Sequence, residues 1–138
     1  MKMEGINLFI VDDNKSMVTV LKLHLQNMFG LGINISTFCD GESCLEKVDK
    51  HTEIVILDYL LEGKNGIEIL RSIKKINPKT EVIMLSGNND ILLVIESFTS
   101  GAIEYVVKGP SSWRKITSLV EQIVTEPTRK LIKEFRLS

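Results

Sequence analysis

Five short apolar runs, separated by stretches with helical spacing, constrain this chain more than any other feature of its sequence. The runs are Ile6 to Val11, Ile33 to Phe38, Ile54 to Leu57, Val82 to Leu85 and Ile103 to Val107. Each has the length of a strand, and the alternation with helical patterns predicts a parallel sheet covered by helices on both faces. The first, third and fourth runs are nearly continuous Ile, Val, Leu and Phe. Strands buried on both faces read that way, so these three are expected at the centre of the sheet.

The intervening segments supply five helices. Met17, Val18, Leu21, His24, Leu25 and Met28 recur along one face, with Gly30 or Gly32 as the stop. Gly41 to Val48 reads as a shorter helix with Cys44, Leu45 and Val48 inward. The third, Gly66 to Ile76, carries Ile67, Leu70, Ile73 and Lys74 at its turns. It ends before Asn77-Pro78, because a residue preceding proline is biased out of the helical region. The fourth covers Asn89 to Ser100 and closes at Gly101. At about 100° per residue, Ile91, Val94, Ile95, Phe98 and Ala102 share its inner side, which leaves Leu92 off that face and Leu93 nearly opposite. Two adjacent exposed leucines predict a partner or dimer surface. The fifth helix follows Pro110, capped by Ser111 or Ser112. Trp113, Ile116, Val120, Ile123 and Val124 lie along one side, and Pro127 is its expected stop. The fold class is α/β, a doubly wound five-stranded parallel sheet, in which ligands bind beyond the carboxyl ends of the strands.

Composition narrows the partners. Seventeen Lys and Arg stand against eighteen Asp and Glu, a formal net charge of -1 over 138 residues. No global field draws this chain to nucleic acid or to an anionic membrane. Its apolar runs fall short of the roughly 18 residues of a membrane span, and the N-terminus enters the first strand without an export pattern. Neither nucleic acid nor membrane is an expected partner. Cys39 and Cys44 have no further ligands at zinc spacing, His24 and His51 included, and read as free thiols, buried or half-buried.

The chemistry gathers where the strands end. Asp12 and Asp13 follow the first run, Asp58 the third, Ser86 the fourth and Lys108 the fifth. Taken singly, an Asp after a strand is a common helix cap, and a Ser there begins many turns. Together they place three carboxylates, a hydroxyl and an ammonium on one edge. Like charges held together raise one another's pKa unless a cation joins them, and oxygen donors without sulfur or histidine favour Mg²⁺.

Four separated motifs then agree in order and spacing: Leu8-Phe9-Ile10-Val11-Asp12-Asp13, Val55-Ile56-Leu57-Asp58-Tyr59-Leu60-Leu61 with Gly66 beyond, Val82-Ile83-Met84-Leu85-Ser86-Gly87, and Gly101-Ala102-Ile103-Glu104-Tyr105-Val106-Val107-Lys108. Over roughly residues 5 to 126 the chain resembles the receiver domain of two-component response regulators. The resemblance implies a flavodoxin-like, CheY-like fold with strand order 2-1-3-4-5, residues 1–126 forming the receiver and 127–138 a C-terminal tail or linker. It implies that Asp58 is the phosphoacceptor, taking a phosphoryl group from a sensor histidine kinase or phosphotransfer protein. Asp13, Asp58 and the backbone carbonyl of Leu60 would hold Mg²⁺, with Asp12 acting mainly through a metal-bound water. Lys108 and Ser86 would cover the remaining phosphoryl oxygens, since such transfer rests on positioning and charge neutralisation. Tyr105 takes the place of the switch aromatic. The output would be the surface of the fourth helix, fifth strand and fifth helix, offered to a downstream effector, to an output domain outside this chain, or to a second copy in a phosphorylation-dependent homodimer. Such a switch is expected in the cytoplasm and promotes its own phosphorylation and dephosphorylation without turning over an external substrate. In the family the positions of Leu60 and Asn88 influence phosphoryl loss. Leu60 offers no group to orient a water, which implies a long-lived phosphoryl group.

The chain departs from the pattern at Lys108-Gly109-Pro110, where the family usually has proline directly after the lysine, across a cis bond. A cis bond before glycine costs about 3 kcal/mol, so the loop is either trans and different, or unusual in geometry. Glu62-Gly63-Lys64 replaces a common proline or small turn residue, and the turn is assigned to Gly63 and Asn65-Gly66. The basic residues after Thr128 read as a solvated face that extends the fifth helix, docks on the domain, or leads to an output domain.

Three rivals are weighed. A phosphatase of the haloacid-dehalogenase type wants a second Asp two places after its nucleophile, where Leu60 stands. A nucleotide or flavin binder wants a Gly-rich loop where Asp12-Asp13-Asn14 stands. A degenerate receiver acting as a constitutive interaction module is kept open by Gly109.

Overall fold

β1 (Ile6–Val11) lies between β2 (Ile33–Phe38) and β3 (Ile54–Asp58), and β4 (Glu81–Ser86) and β5 (Glu104–Val107) extend the sheet beyond β3. The order is β2-β1-β3-β4-β5, with every pair parallel. This is the computed structural model of the chain, and it describes residues 5–137, with side chains through residue 125. The helices are α1 (Lys15–Phe29), α2 (Gly41–Lys47), α3 (Gly66–Ile76), α4 (Ile91–Thr99) and α5 (Ser112–Leu137).

The central runs β1, β3 and β4 are nearly all apolar because both of their faces are covered. Phe9, Val11, Val55, Leu57, Val82 and Met84 pack on one side with Cys44, Leu70 and Ile73 of α2 and α3. Their neighbours Leu8, Ile10, Ile54, Ile56, Ile83 and Leu85 face Leu21 and Leu25 of α1 and Ile116 and Val120 of α5. Alternate residues thus enter different cores, as the two-residue repeat of a strand requires. The three most apolar strands are the central ones, as expected. Register then aligns the strand ends: Val11 pairs with Leu57, Asp58 with Leu85 and Ser86 with Val107. Whatever follows β1, β3, β4 and β5 emerges along one edge, beside the point where strand order reverses.

Asn14, Asp40, Asn65 and Asp90 cap α1 to α4, each accepting a backbone N–H from the first turn. Gly66 opens α3 directly under the acidic edge. A Cβ there would lie 2.7 Å from both the Asp58 carbonyl oxygen and the Tyr59 Cα, so only glycine lets the helix start so close. Its N–H donates to the Tyr59 carbonyl at 2.8 Å.

The structure corrects several expectations. Leu93 is not exposed: it keeps 8% of its surface and belongs to the core with Met84 and Ala102, whereas Leu92 is 72% exposed as anticipated. Ile91, Ile95 and Phe98, assigned inward, face outward. The helix is apolar on nearly every side, so no stripe marks its inner face. A small polar residue does, since Ser97 is fully buried with its hydroxyl donating to the Leu93 carbonyl at 2.9 Å. The fifth helix does not stop at Pro127 but continues to Leu137. Proline forfeits its own N–H bond and crowds the preceding turn, a penalty of about 3 kcal/mol and not an obligatory end. The side chains of the basic tail lie outside those described. Met28 is exposed, and so is Cys39. Cys44 is buried, and burial followed by the charge of Asp40 pushes its thiol up to about 12.

Candidate functional site

Asp12 is the first residue past β1. Its N–H donates to the Phe38 carbonyl at 3.1 Å, and its Oδ1 accepts the Asn14 N–H at 2.9 Å. Asp58 closes β3. Both are almost wholly buried, at 2% and 4% exposure, while Asp13 reaches solvent. One carboxylate oxygen from each of Asp12, Asp13 and Asp58 lies within 4.8 Å of the others. Lys108, just beyond β5, brings its Nζ to 3.1 Å from Asp12 Oδ2 and 3.4 Å from Asp58 Oδ2.

One ammonium does not balance three carboxylates. Burial, then the charge of Asp12, pushes Asp58 up to about 6, and Lys108 and the Leu60 N–H offset only part of this. Burial by itself would lower Lys108, but the neighbouring charges of Asp58 and Asp12 prevail and raise it. Among the described residues the buried Asp12 Oδ2 has one partner, the Lys108 ammonium at 3.1 Å, which it shares with Asp58. One ammonium divided between two buried carboxylates leaves negative charge over, and a hard divalent cation is the partner that would neutralise it. The residues present fit Mg²⁺.

The other predicted residues flank this cluster. Ser86 ends β4, buried, with its Oγ accepting the Asn88 N–H at 3.1 Å. The Lys108 N–H donates to the Ser86 carbonyl and the Tyr59 N–H to the Leu85 carbonyl, at 2.8 and 3.2 Å, so the three strand ends are knitted together. Tyr105 is half-buried, and its hydroxyl donates to the Asn88 carbonyl. Leu60, beside Asp58, is 68% exposed. Leu92 and Leu93 stand apart from the cluster on α4, one outside and one in the core. The described residues contain no cis peptide bond, so Lys108-Gly109 is trans. The loop turns on Ser112, whose N–H and hydroxyl both donate to the Gly109 carbonyl.

Sequence reading noticed Asn88 only by position. Its role as the hub of the β4–α4 loop was signalled by the spacing Ser86, Asn88, Asp90, polar side chains that each reach a backbone N–H two residues on.

The response regulator receiver domain family matches residues 8–121. The transcriptional regulatory protein ZraR of Klebsiella oxytoca is 31% identical over 106 residues, 76% of this chain and 23% of that protein. The DNA-binding transcriptional regulator NtrC of Azospirillum brasilense is 27% identical over 127 residues, 91% of this chain and 26% of its own. The chain thus spans about a quarter of the length of these curated relatives. Among solved structures, the BeF3-activated DrrB receiver domain, DrrB being a Thermotoga maritima protein, superposes with a TM-score of 0.78 at 30% identity, covering 88% of this chain and 99% of that one.

Proposed function

The chain belongs to the response regulator receiver domain family, a family of phosphorylation-dependent signalling switches, and from that premise we propose that Asp58 is its phosphoacceptor and a sensor histidine kinase or phosphotransfer protein its donor. The carrying observation is the pairing of buried Asp58 with Lys108 at 3.4 Å inside a cluster of three carboxylates. An Asp58 oxygen attacks phosphorus, the P–N bond to the donor histidine breaks as the P–O bond forms, and the imidazole leaves with its electron pair. Lys108 already lies between Asp12 and Asp58 and draws one phosphoryl oxygen to itself. The hydroxyl of Ser86 donates to another. Bound by Asp13, Asp58 and the Leu60 carbonyl, with Asp12 reaching it through water, Mg²⁺ would supply the remaining charge neutralisation. The excess of carboxylate over ammonium at Asp12 and Asp58 supports this assignment.

The phosphorylated form then offers a changed α4, β5 and α5 surface to an effector protein or an output domain outside this chain, Tyr105 following Ser86. This reading puts the switch in the cytoplasm with its kinase. Among the described residues, no helix is long and apolar enough to cross a membrane.

Incubation with Mg²⁺ and acetyl phosphate tests the assignment by mass spectrometry. One phosphoryl group per chain, absent in Asp58→Asn, is the expected result. Hydrolysis of many equivalents would favour a phosphatase, and no uptake would favour a constitutive interaction module.

A further inference from the structure

The loop from β4 to α4 is a ladder of hydrogen bonds two residues apart. Ser86 Oγ accepts the Asn88 N–H at 3.1 Å, Asn88 Oδ1 the Asp90 N–H at 2.9 Å, and Asp90 Oδ1 the Leu92 N–H at 2.9 Å. The last rung is the N-cap of α4. Asn88 is held from a third direction as well, because its carbonyl accepts the Tyr105 hydroxyl. Its N–H, its side chain and its carbonyl therefore engage the end of β4, the cap of α4 and β5. Short polar side chains bonded to nearby backbone define one local conformation against the alternatives, so the rungs move together or break.

Ladder and apolar surface are continuous. Leu92, which donates the last rung, is 72% exposed, and Ile91, Ile95 and Phe98 share the outer side of α4 with it. The inner side is anchored by Leu93 and Ser97.

Resting on the phosphoacceptor reading of Asp58, we propose that the Asn88 side chain is the positioning element that couples Ser86 to the first turn of α4. A rotamer change that carries Ser86 Oγ to a phosphoryl oxygen alters its bond to the Asn88 N–H. Through Asn88 Oδ1 and Asp90 the change reaches the helix cap, and with it the apolar outer face. Without Asn88 Oδ1 the ladder is cut in the middle. Ser86 still meets the phosphoryl group, but α4 registers it only weakly.

Amide hydrogen exchange of residues 90–94, measured on the full chain before and after acetyl phosphate with Mg²⁺, tests the coupling. The readout is the change on phosphorylation, scaled to the phosphorylated fraction found by mass in each variant, because a merely structural role for Asn88 shifts both states alike and an altered phosphoryl lifetime changes only that fraction. The wild type is expected to show a clear change, Asn88→Ala to show one about fivefold smaller, the equivalent of one ordinary hydrogen bond, and Asn88→Asp, which keeps the acceptor oxygen, to restore it. A wild-type-sized change in Asn88→Ala, failure of Asn88→Asp to restore it, or no change in a wild type that has taken up its phosphoryl group overturns the coupling alone. No Asp58-dependent mass gain in the wild type overturns the reading beneath it.

Discussion

Lys108 Nζ and Asp58 Oδ2 stand 3.4 Å apart although β5 and β3, which carry them to the edge, are separated in the sheet by β4. The lysine crosses the end of β4 to reach the carboxylate. Lys108→Met removes the only ammonium in contact with Asp12 and Asp58 among the described residues, so phosphorylation of Asp58 by acetyl phosphate is expected to slow by about 100-fold. A rate unchanged in a stopped-flow or quench measurement contradicts the role given to Lys108.

The raised pKa of Asp58 has a direct signature in stability. A carboxyl group whose folded value is lifted from 3.8 to about 6 contributes stability below pH 3.8 that is lost as pH rises through 6. Asp58→Asn is therefore expected to be more stable than the wild type near neutral pH, by about 1 to 3 kcal/mol, and no more stable near pH 3.8. Denaturant titrations of both proteins without divalent cation measure the difference.

Mg²⁺ is expected to relieve the same imbalance. At roughly ten times its dissociation constant it would add about 1.4 kcal/mol to the wild type, a rise in thermal midpoint that calorimetry resolves. Asp13→Asn, which leaves the buried pair intact, is expected to lose most of that rise.

The two leucines of α4 separate packing from recognition. Leu93→Glu buries a charge in the core and is expected to destabilise the fold by about 3 kcal/mol or more. Leu92→Glu changes stability by under about 0.5 kcal/mol, yet it weakens any phosphorylation-dependent association across this face. Titration calorimetry with the partner, or sedimentation for a dimer, decides.

Leu60 places an apolar, exposed side chain beside Asp58. Leu60→Asn supplies a group that can orient an attacking water, and the phosphorylated form is expected to decay several-fold faster. Decay followed by mass spectrometry checks it.

What could be read in the sequence follows from how many faces each element buries. The central strands were legible because two-sided burial leaves continuous apolar runs, and α3 because Ile67, Leu70 and Ile73 mark one face. In α4 the outer side is as apolar as the inner, and its buried residues are Leu93 and Ser97, a serine that no search for apolar stripes selects. The end of α5 was misplaced because Pro127 is a penalty that a long helix absorbs. Asp12, Asp58, Ser86 and Lys108 were legible as the residues that follow strands. The reach of Lys108 past β4, its sharing between Asp12 and Asp58 and the bond from Tyr105 to Asn88 were not, because each depends on distances between segments far apart in the chain.

The contact between Gly66 and the backbone of Asp58 and Tyr59 makes the intervening segment a handle pinned at both ends. Glu62, Gly63 and Lys64 lie on its exposed bow. Residues added there lengthen the bow into solvent, at about 0.6 kcal/mol per doubling of the loop, while Asp58 keeps its place. Beside Asp58 the fold thus holds a stretch free to diverge in length and charge without moving the carboxylate.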